Sequence, residues 1–277
     1  MLRLLFWNLR RNLRMIDLLA ELTFDRRIDV VVTAEEPELA VDVAQLLSSR
    51  CECTFRPRFG KFNKRVRIYA RQTVTVHPPI AESHYMLVCP LTVDNKPELL
   101  VAAMHGISKL EAELVDLNEE ACVAAALMRD AEVRRKHRRT ILVGDFNLNP
   151  FDEGMAKARG FYGVMARADA EREVQVLKRN SYPLFYNPMW SRMGDLSPGP
   201  AGTYYRKQTS HLAHYWHTYD QVLVRAPIAA CFDVGSFEVV TRIGKVDLLK
   251  NTVPNVEEGS DHLPVVVGFD LDKMKGS

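Results

Sequence analysis

The sequence predicts an α/β protein with much antiparallel pairing. Three observations predict it. Short apolar runs rich in β-branched residues, each of strand length, recur along the whole chain. Helical periodicities lie between only some of these runs, which argues against a strict βαβ alternation. No internal repeat, Gly/Ser linker or long charge block divides the 277 residues, so one domain is expected over 1–277.

The expected strands are Leu2–Trp7, Asp29–Thr33, Val66–Ala70, Tyr85–Val93, Leu99–Met104, Thr140–Val143, Gln221–Val224 and Pro264–Phe269. Met15–Leu22 has the apolar spacing of an amphipathic helix. A second helix is expected over Leu39–Leu47, after Pro37. Leu110–Val133 is the longest helical pattern, with Ser108 as its expected N-cap. A short helix is expected over Phe151–Arg159, behind Pro150. The stretch from about 166 to 216 is rich in Pro, Gly and aromatic residues; it reads as an irregular insertion with a short helix near Ala170–Lys178.

Composition bounds the function. The 37 Lys plus Arg against 35 Asp plus Glu leave a formal net charge of +2, which excludes a polycationic tail as the means of binding but not a local basic groove. No run approaches the ~18–20 apolar residues of a membrane-spanning helix. The Leu4–Trp7 stretch is too short for a signal-peptide core, which needs about 7–15 residues. An Arg-rich transit peptide is the other reading of the first residues, and a functional role for Asn8 argues against its removal. Five cysteines with no C-x-x-C pair fit a reduced, cytoplasmic protein and not a zinc ribbon or disulfide framework.

Polar residues cluster at strand ends. RLLFW runs into Asn8, DVVVTA into Glu35, LLVAAM into His105, and TILVG into Asp145, Phe146 and Asn147. Later the order flips: Asp220 precedes QVLV, while Asp261 and His262 precede LPVVV. Any one of these reads as a solvated turn residue. If the late strands run antiparallel to the early ones, all of them meet on one rim. Asp, Glu and Asn are hard oxygen ligands, better suited to Mg²⁺ or Mn²⁺ than to Zn²⁺. Imidazoles beside them suit phosphate contact and proton handling. Together they form a constellation for phosphoester hydrolysis.

FWN (Phe6–Asn8), DVVVTAEE (Asp29–Glu36), MHG (Met104–Gly106), GDFNLNP (Gly144–Pro150), YDQVLV (Tyr219–Val224) and GSDHLPV (Gly259–Val265) follow in the order found in the endonuclease/exonuclease/phosphatase superfamily, which this chain resembles over nearly its whole length. The resemblance implies a four-layer α/β sandwich, with two mixed, mostly antiparallel sheets flanked by helices, and divalent-metal-dependent phosphoester hydrolysis. It implies Glu35 as the principal metal-binding residue, supported by Asn8, with Asp261 as a further metal-side carboxylate. Asp145 and Asn147 would position the attacking water and the scissile phosphate. His262 would be the catalytic histidine, oriented by Asp220, and His105 a second histidine on the phosphate. The chain departs from the family pattern in having Ala34 where Gln is usual, the doublet Glu35–Glu36, and Gly106 where Leu is common.

The leading expectation is a nuclease or phosphodiesterase on DNA or RNA. A small-molecule or lipid phosphoesterase is the first alternative, because fold does not fix substrate. A catalytically silent binding module on the same scaffold is the alternative of another class. The inositol-polyphosphate phosphatase branch is disfavoured, since HTYDQVL stands where its signature belongs. The basic run Arg134–Arg139 reads as a solvated helix end. Arg10, Arg11 and Arg14 are candidates for phosphate contact. His211, His214 and His217 read as packing residues before a zinc site, and Tyr204, Tyr205, Tyr215 and Trp216 as loop packing before base stacking. Arg65, Arg67 and Arg71 read as a solvent face.

Overall fold

The structure, a computed structural model, describes residues 1–38, 42–207 and 214–274. Fourteen strands build two large sheets. In chain order they are β1 (Leu2–Asn8), β2 (Val30–Ala34), β3 (Phe55–Arg58), β4 (Val66–Arg71), β5 (Val74–Val76), β6 (Ala81–Glu82), β7 (Met86–Val93), β8 (Leu99–His105), β9 (Thr140–Asp145), β10 (Gly163–Val164), β11 (Phe185–Tyr186), β12 (Asp220–Arg225), β13 (Phe232–Val239) and β14 (Val265–Phe269). The first sheet has the order β13-β14-β1-β2-β4-β3 and the second β10-β11-β12-β9-β8-β7-β5, with β6 also on β7. Pairing is parallel at β1/β2, β8/β9 and β10/β11, and antiparallel elsewhere in the two sheets.

Alternation along the strands makes the layers. Leu99, Val101 and Ala103 of β8, with Ile141 and Val143 of β9, join the core shared with the first sheet, while Leu100, Ala102, Met104 and Leu142 join a second core under a long helix. That helix, α3 (Leu114–Arg135), buries a stripe of small residues (Ala121, Ala124, Ala125, Ala131) together with Leu117 and Met128, so it lies close on the second sheet. Helices α1 (Arg14–Asp25) and α2 (Val43–Cys51) pack against each other and place Leu19, Leu22 and Leu47 in the core of the first sheet. The result is the four-layer α/β sandwich with mixed, mostly antiparallel sheets. Each fully buried aliphatic side chain contributes ~1.5–3 kcal/mol relative to its exposure.

All eight expected strands are present, some one or two residues longer. Helix boundaries shift for local reasons. Ser108 does not cap α3: Glu113 and Asp116 form a reciprocal capping box there, and the Ser108 hydroxyl instead accepts the Leu110 N–H within a preceding turn. Helix α2 begins after Asp42, whose carboxylate accepts the N–H groups of Ala44 and Gln45. Residues 39–41 of the expected helix lie outside the described residues. The Phe151–Arg159 helix shrinks to Glu153–Ala156. The helix expected at Ala170–Lys178 is replaced by a turn of helix at Arg167–Ala170 and a hairpin pairing Val174–Leu177 with Asn180–Pro183. V-Q-V-L alternates with a period of two, and Lys178 and Arg179 both take positive φ, as a tight hairpin turn requires. Strand β13 escapes prediction because a register shift between Asp233 and Glu238 interrupts its alternation.

Candidate active site

The flipped order of the late motifs has the consequence that antiparallel pairing demands. Asp220, first residue of β12, pairs directly with Asp145, last residue of β9, and His105, last of β8, pairs with the same Asp145. On the other sheet Asn8 ends β1, and its neighbour β2 runs parallel into Glu35. Both sheets therefore deliver strand ends to one rim. Ser260 ties the final segment to them, donating to the Asn8 carbonyl at 2.8 Å, while the Trp7 indole donates to the His262 carbonyl at 2.9 Å.

At the centre, Asn8 Nδ2 donates to Asp145 Oδ2 at 3.0 Å and to Glu35 Oε1 at 3.3 Å. His105 Nε2 lies 3.4 Å from Glu35 Oε1 and 3.9 Å from Asp145 Oδ2. Burial pushes the His105 pKa down, against the pull of Asp145 and Glu35, so the ring is neutral at pH 7. Its Nε2 faces two carboxylates, which places the single proton there, and Nδ1 is buried with no hydrogen-bond partner among the described residues. Glu35 itself has a left-handed backbone, φ 47°, which turns its side chain out of the strand direction.

The second cluster is the His262–Asp220 pair. Nδ1 of His262 lies 2.9 and 3.0 Å from the two Asp220 oxygens, and Nε2 lies 3.8 Å from Asp145 Oδ2. Burial opposes charging of the imidazole, but Asp220 and then Asp145 outweigh it and raise its pKa to about 10. Burial likewise pushes Asp220 up to about 6, although His262 pulls the other way. The pair is ionic at neutral pH. Asp145, Asp220 and His262 each bring one possible ligand atom within 4.8 Å of the others, but both Asp220 oxygens are already engaged by His262, so this trio is a poorer cation site than Glu35.

Asn147 follows in a left-handed turn, φ 52°; its backbone N–H donates to Asp145 Oδ1 at 2.9 Å and its amide to the Gly106 carbonyl at 3.4 Å. The crowding explains Gly106 itself: a Cβ there would meet the Phe146 carbonyl oxygen at 2.7 Å. Asp261 stands at the edge, 3.6 Å from the Arg10 guanidinium, with Ser260 donating to its Oδ1 at 3.3 Å. The Glu35–Glu36 doublet divides its labour. Glu36 turns inward to Tyr69, Thr33 and Arg67, at 2.8, 2.9 and 3.1 Å, which leaves Glu35 to the rim.

The donor set fits a hard divalent cation. Carboxylates from several elements crowd the rim, and among the described residues nothing donates a hydrogen bond to Glu35 Oε2. Asn8 presents its NH₂ to Glu35, because its oxygen accepts the Arg10 N–H at 3.0 Å; the amide therefore fixes the carboxylate.

Several neighbours were not read as site residues from the sequence. Tyr204 bridges to His262 with ring centroids 4.6 Å apart, and Tyr219 stacks on His217 at the same spacing. Lys109 lies over the Tyr219 ring at 4.8 Å. Only the pairing of the final segment with the aromatic loop reveals these contacts. His214 and His217 sit 6.1 Å apart edge to face, and His211 lies outside the described residues. The Arg134–Arg139 run lies at the far end of β9 from Asp145, where Arg135 and Arg139 both bond Glu98. Arg65, Arg67 and Arg71 are half-buried and paired with Glu111, Glu36 and Asp29 instead of forming a free solvent face.

This architecture is similar to the endonuclease/exonuclease/phosphatase fold. An endonuclease/exonuclease/phosphatase family protein from Bacteroides thetaiotaomicron superposes with a TM-score of 0.62 at 15% identity, over 100% of this chain and 98% of that one. The endonuclease domain of TRAS1, a telomere-specific non-LTR retrotransposon, gives 0.56 at 13% identity, over 98% and 99%. A 3′-5′ exonuclease from Neisseria meningitidis gives 0.55 at 16%, over 97% and 100%. No family model and no curated protein matches the sequence. Among the described residues, no helix is long and apolar enough to cross a membrane.

Proposed function

We propose that this protein is a Mg²⁺- or Mn²⁺-dependent phosphodiesterase acting on nucleic acid, with residues 1–277 as one catalytic domain. The observation that carries the reading is the meeting of Glu35, His105, Asp145 and the His262–Asp220 pair, from both sheets, on one rim. Two of the similar structures, an endonuclease domain and a 3′-5′ exonuclease, match this chain over nearly the whole of each chain and support it. Five unpaired cysteines support a reducing, cytoplasmic setting.

Glu35 would hold the cation, with Asp261 on the same side and Asn8 fixing the glutamate. When bound, such a cation neutralises charge building on the phosphate and the leaving oxygen. Asp145, its Oδ1 held by the Asn147 N–H, accepts a proton from the attacking water as the new P–O bond forms and the bond to the leaving oxygen breaks. Asn147 orients water and phosphate through its amide. His262, an imidazolium held by Asp220, donates from Nε2 to a phosphoryl oxygen and stabilises the five-coordinate state. His105, its Nε2 3.4 Å from Glu35 and 3.9 Å from Asp145, is the second histidine on the phosphate.

The test is hydrolysis of single-stranded and duplex DNA, RNA and a bis-aryl phosphodiester with Mg²⁺, Mn²⁺ or a chelator. Metal-dependent turnover is expected, falling ~10²–10³-fold in Glu35→Gln and His262→Ala. Turnover indifferent to chelator, or wild-type rates in these folded variants, would refute the assignment.

A further inference from the structure

We propose that the rim of the cleft beside Glu35 is a stacking subsite for unpaired nucleotides: Arg11 and Leu13 line one side of the cleft, Lys64, Arg65 and Arg67 the other, and Phe59 and Phe62 stand on the same loop just before Lys64. The inference rests on the phosphodiesterase reading and specifies its substrate as a single-stranded nucleic acid segment. The cleft measures about 780 Å³ and takes in both Glu35 and His105, so whatever fills it adjoins the candidate scissile phosphate. Among the described residues Arg11 and Lys64 are its cations without an ion pair, while Arg65 is paired with Glu111 and Arg67 with Glu36. Of its carboxylates, Glu36 is neutralised by Arg67 and hydrogen-bonded by Tyr69, and Glu38 is exposed.

The loop is built to present rings. Glu82 accepts the N–H groups of Lys61, Phe62 and Asn63, and buried Asn63 bonds the carbonyls of Ser83 and His84 and the N–H groups of Arg65 and Val66. On this pinned backbone Phe59 and Phe62 stand 49% and 67% exposed, interleaved with Lys61, Lys64, Arg65 and Arg67. The Arg67 guanidinium, which lines the cleft, lies 5.7 Å from the Phe59 ring. On the facing turn Leu13 lines the cleft and is 57% exposed. Each ring carries one cation, Arg67 at 5.7 Å from Phe59 and Lys61 at 5.3 Å from Phe62, and about half or more of each ring residue stays open to water. Aromatic faces beside a backbone-tracking positive groove are the chemistry of sequence-tolerant single-strand binding. A base paired in a duplex has its faces covered, so the site selects unpaired nucleotides.

The test measures anisotropy of fluorescein-labelled oligothymidylate in EDTA, where no turnover occurs, for wild type and Phe59→Ala/Phe62→Ala. Loss of the two rings should weaken binding about tenfold or more. An abasic oligomer of the same length should bind both proteins alike. Lys64→Ala should weaken both oligomers and lower the salt slope by about 0.7. Phe59→Leu/Phe62→Leu, which keeps apolar area without rings, should behave as the alanine variant and guards against a folding defect. Equal affinity of wild type and the ring-less variants for oligothymidylate overturns the subsite, as does equal loss on the abasic oligomer or tighter binding of blunt duplex. Bis-aryl phosphodiester turnover in Mg²⁺ by the wild type reports on the catalytic centre. If wild type fails to turn over that ester, the phosphodiesterase reading fails, while the anisotropy still decides the subsite.

Discussion

Two adjacent glutamates with opposite fates show how far the site depends on single residues. Glu35 leaves the strand through a left-handed backbone and faces Asn8 and His105, while Glu36 is drawn inward by Tyr69 and Arg67. Their substitutions should therefore separate. Glu35→Gln should abolish Mn²⁺ uptake in titration calorimetry with the fold intact. Glu36→Gln should retain it but lower the melting temperature, because buried Glu36 loses its charged contact with half-buried Arg67, at a cost of about 1–3 kcal/mol. Metal loss in both variants would contradict this division. A second residue sets an acid limit. Burial, then Lys109, His214 and Arg206, push the His217 pKa down to about 4, whereas the unfolded chain titrates near ~6.5. Between those values the unfolded state binds a proton that the folded state refuses. Stability is therefore complete above pH ~6.5 and falls as the pH drops toward 4. Urea denaturation at pH 7 and pH 5 should show a smaller loss in His217→Gln than in wild type.

At the scale of elements, α3 is anchored to the second sheet by a charge pair as well as by its alanine stripe. Arg225 of β12, buried over the Phe185 ring at 3.8 Å, meets Glu132 at 2.9 and 3.2 Å and donates from its remaining nitrogen to the Pro183 carbonyl. Glu132→Ala strands a buried guanidinium and should cost about 3–5 kcal/mol in chemical denaturation, while Glu132→Leu with Arg225→Met should recover most of it. A single variant as stable as wild type would show that the pair contributes nothing. Elements also mark what the sequence discloses. Central strands were legible, because burial on both faces writes continuous β-branched runs such as Val30, Val31 and Val32. Edge strands were not: β3 carries Arg56, Pro57 and Arg58, and β13 is broken by its register shift. The rim residues were legible because each sits at the end of a central strand. The contacts of Tyr204 and Lys109 were not, since they depend on loops meeting loops, where no period constrains the sequence.

For the whole molecule, the decisive fact is that neither sheet owns the site. Glu35 and Asn8 come from the first sheet, His105, Asp145 and Asp220 from the second, and His262 precedes β14, which returns to the first. The distances of 3.0 to 3.9 Å among Asn8, Glu35, His105 and Asp145 are set by how the two sheets pack face to face. The shared core is one continuous cluster running through both sheets, so it should break as a unit. Leu5 lies in that cluster with no exposure, and Leu5→Ala should cost about 2–5 kcal/mol. Because the site spans the seam, activity and secondary structure should vanish at the same urea concentration in wild type, and both midpoints should move down together in the variant. Activity fading well before the far-UV signal would show the sheets separating while each stays folded. Activity outlasting that signal would show one sheet sufficing to hold the reacting groups, contrary to the geometry.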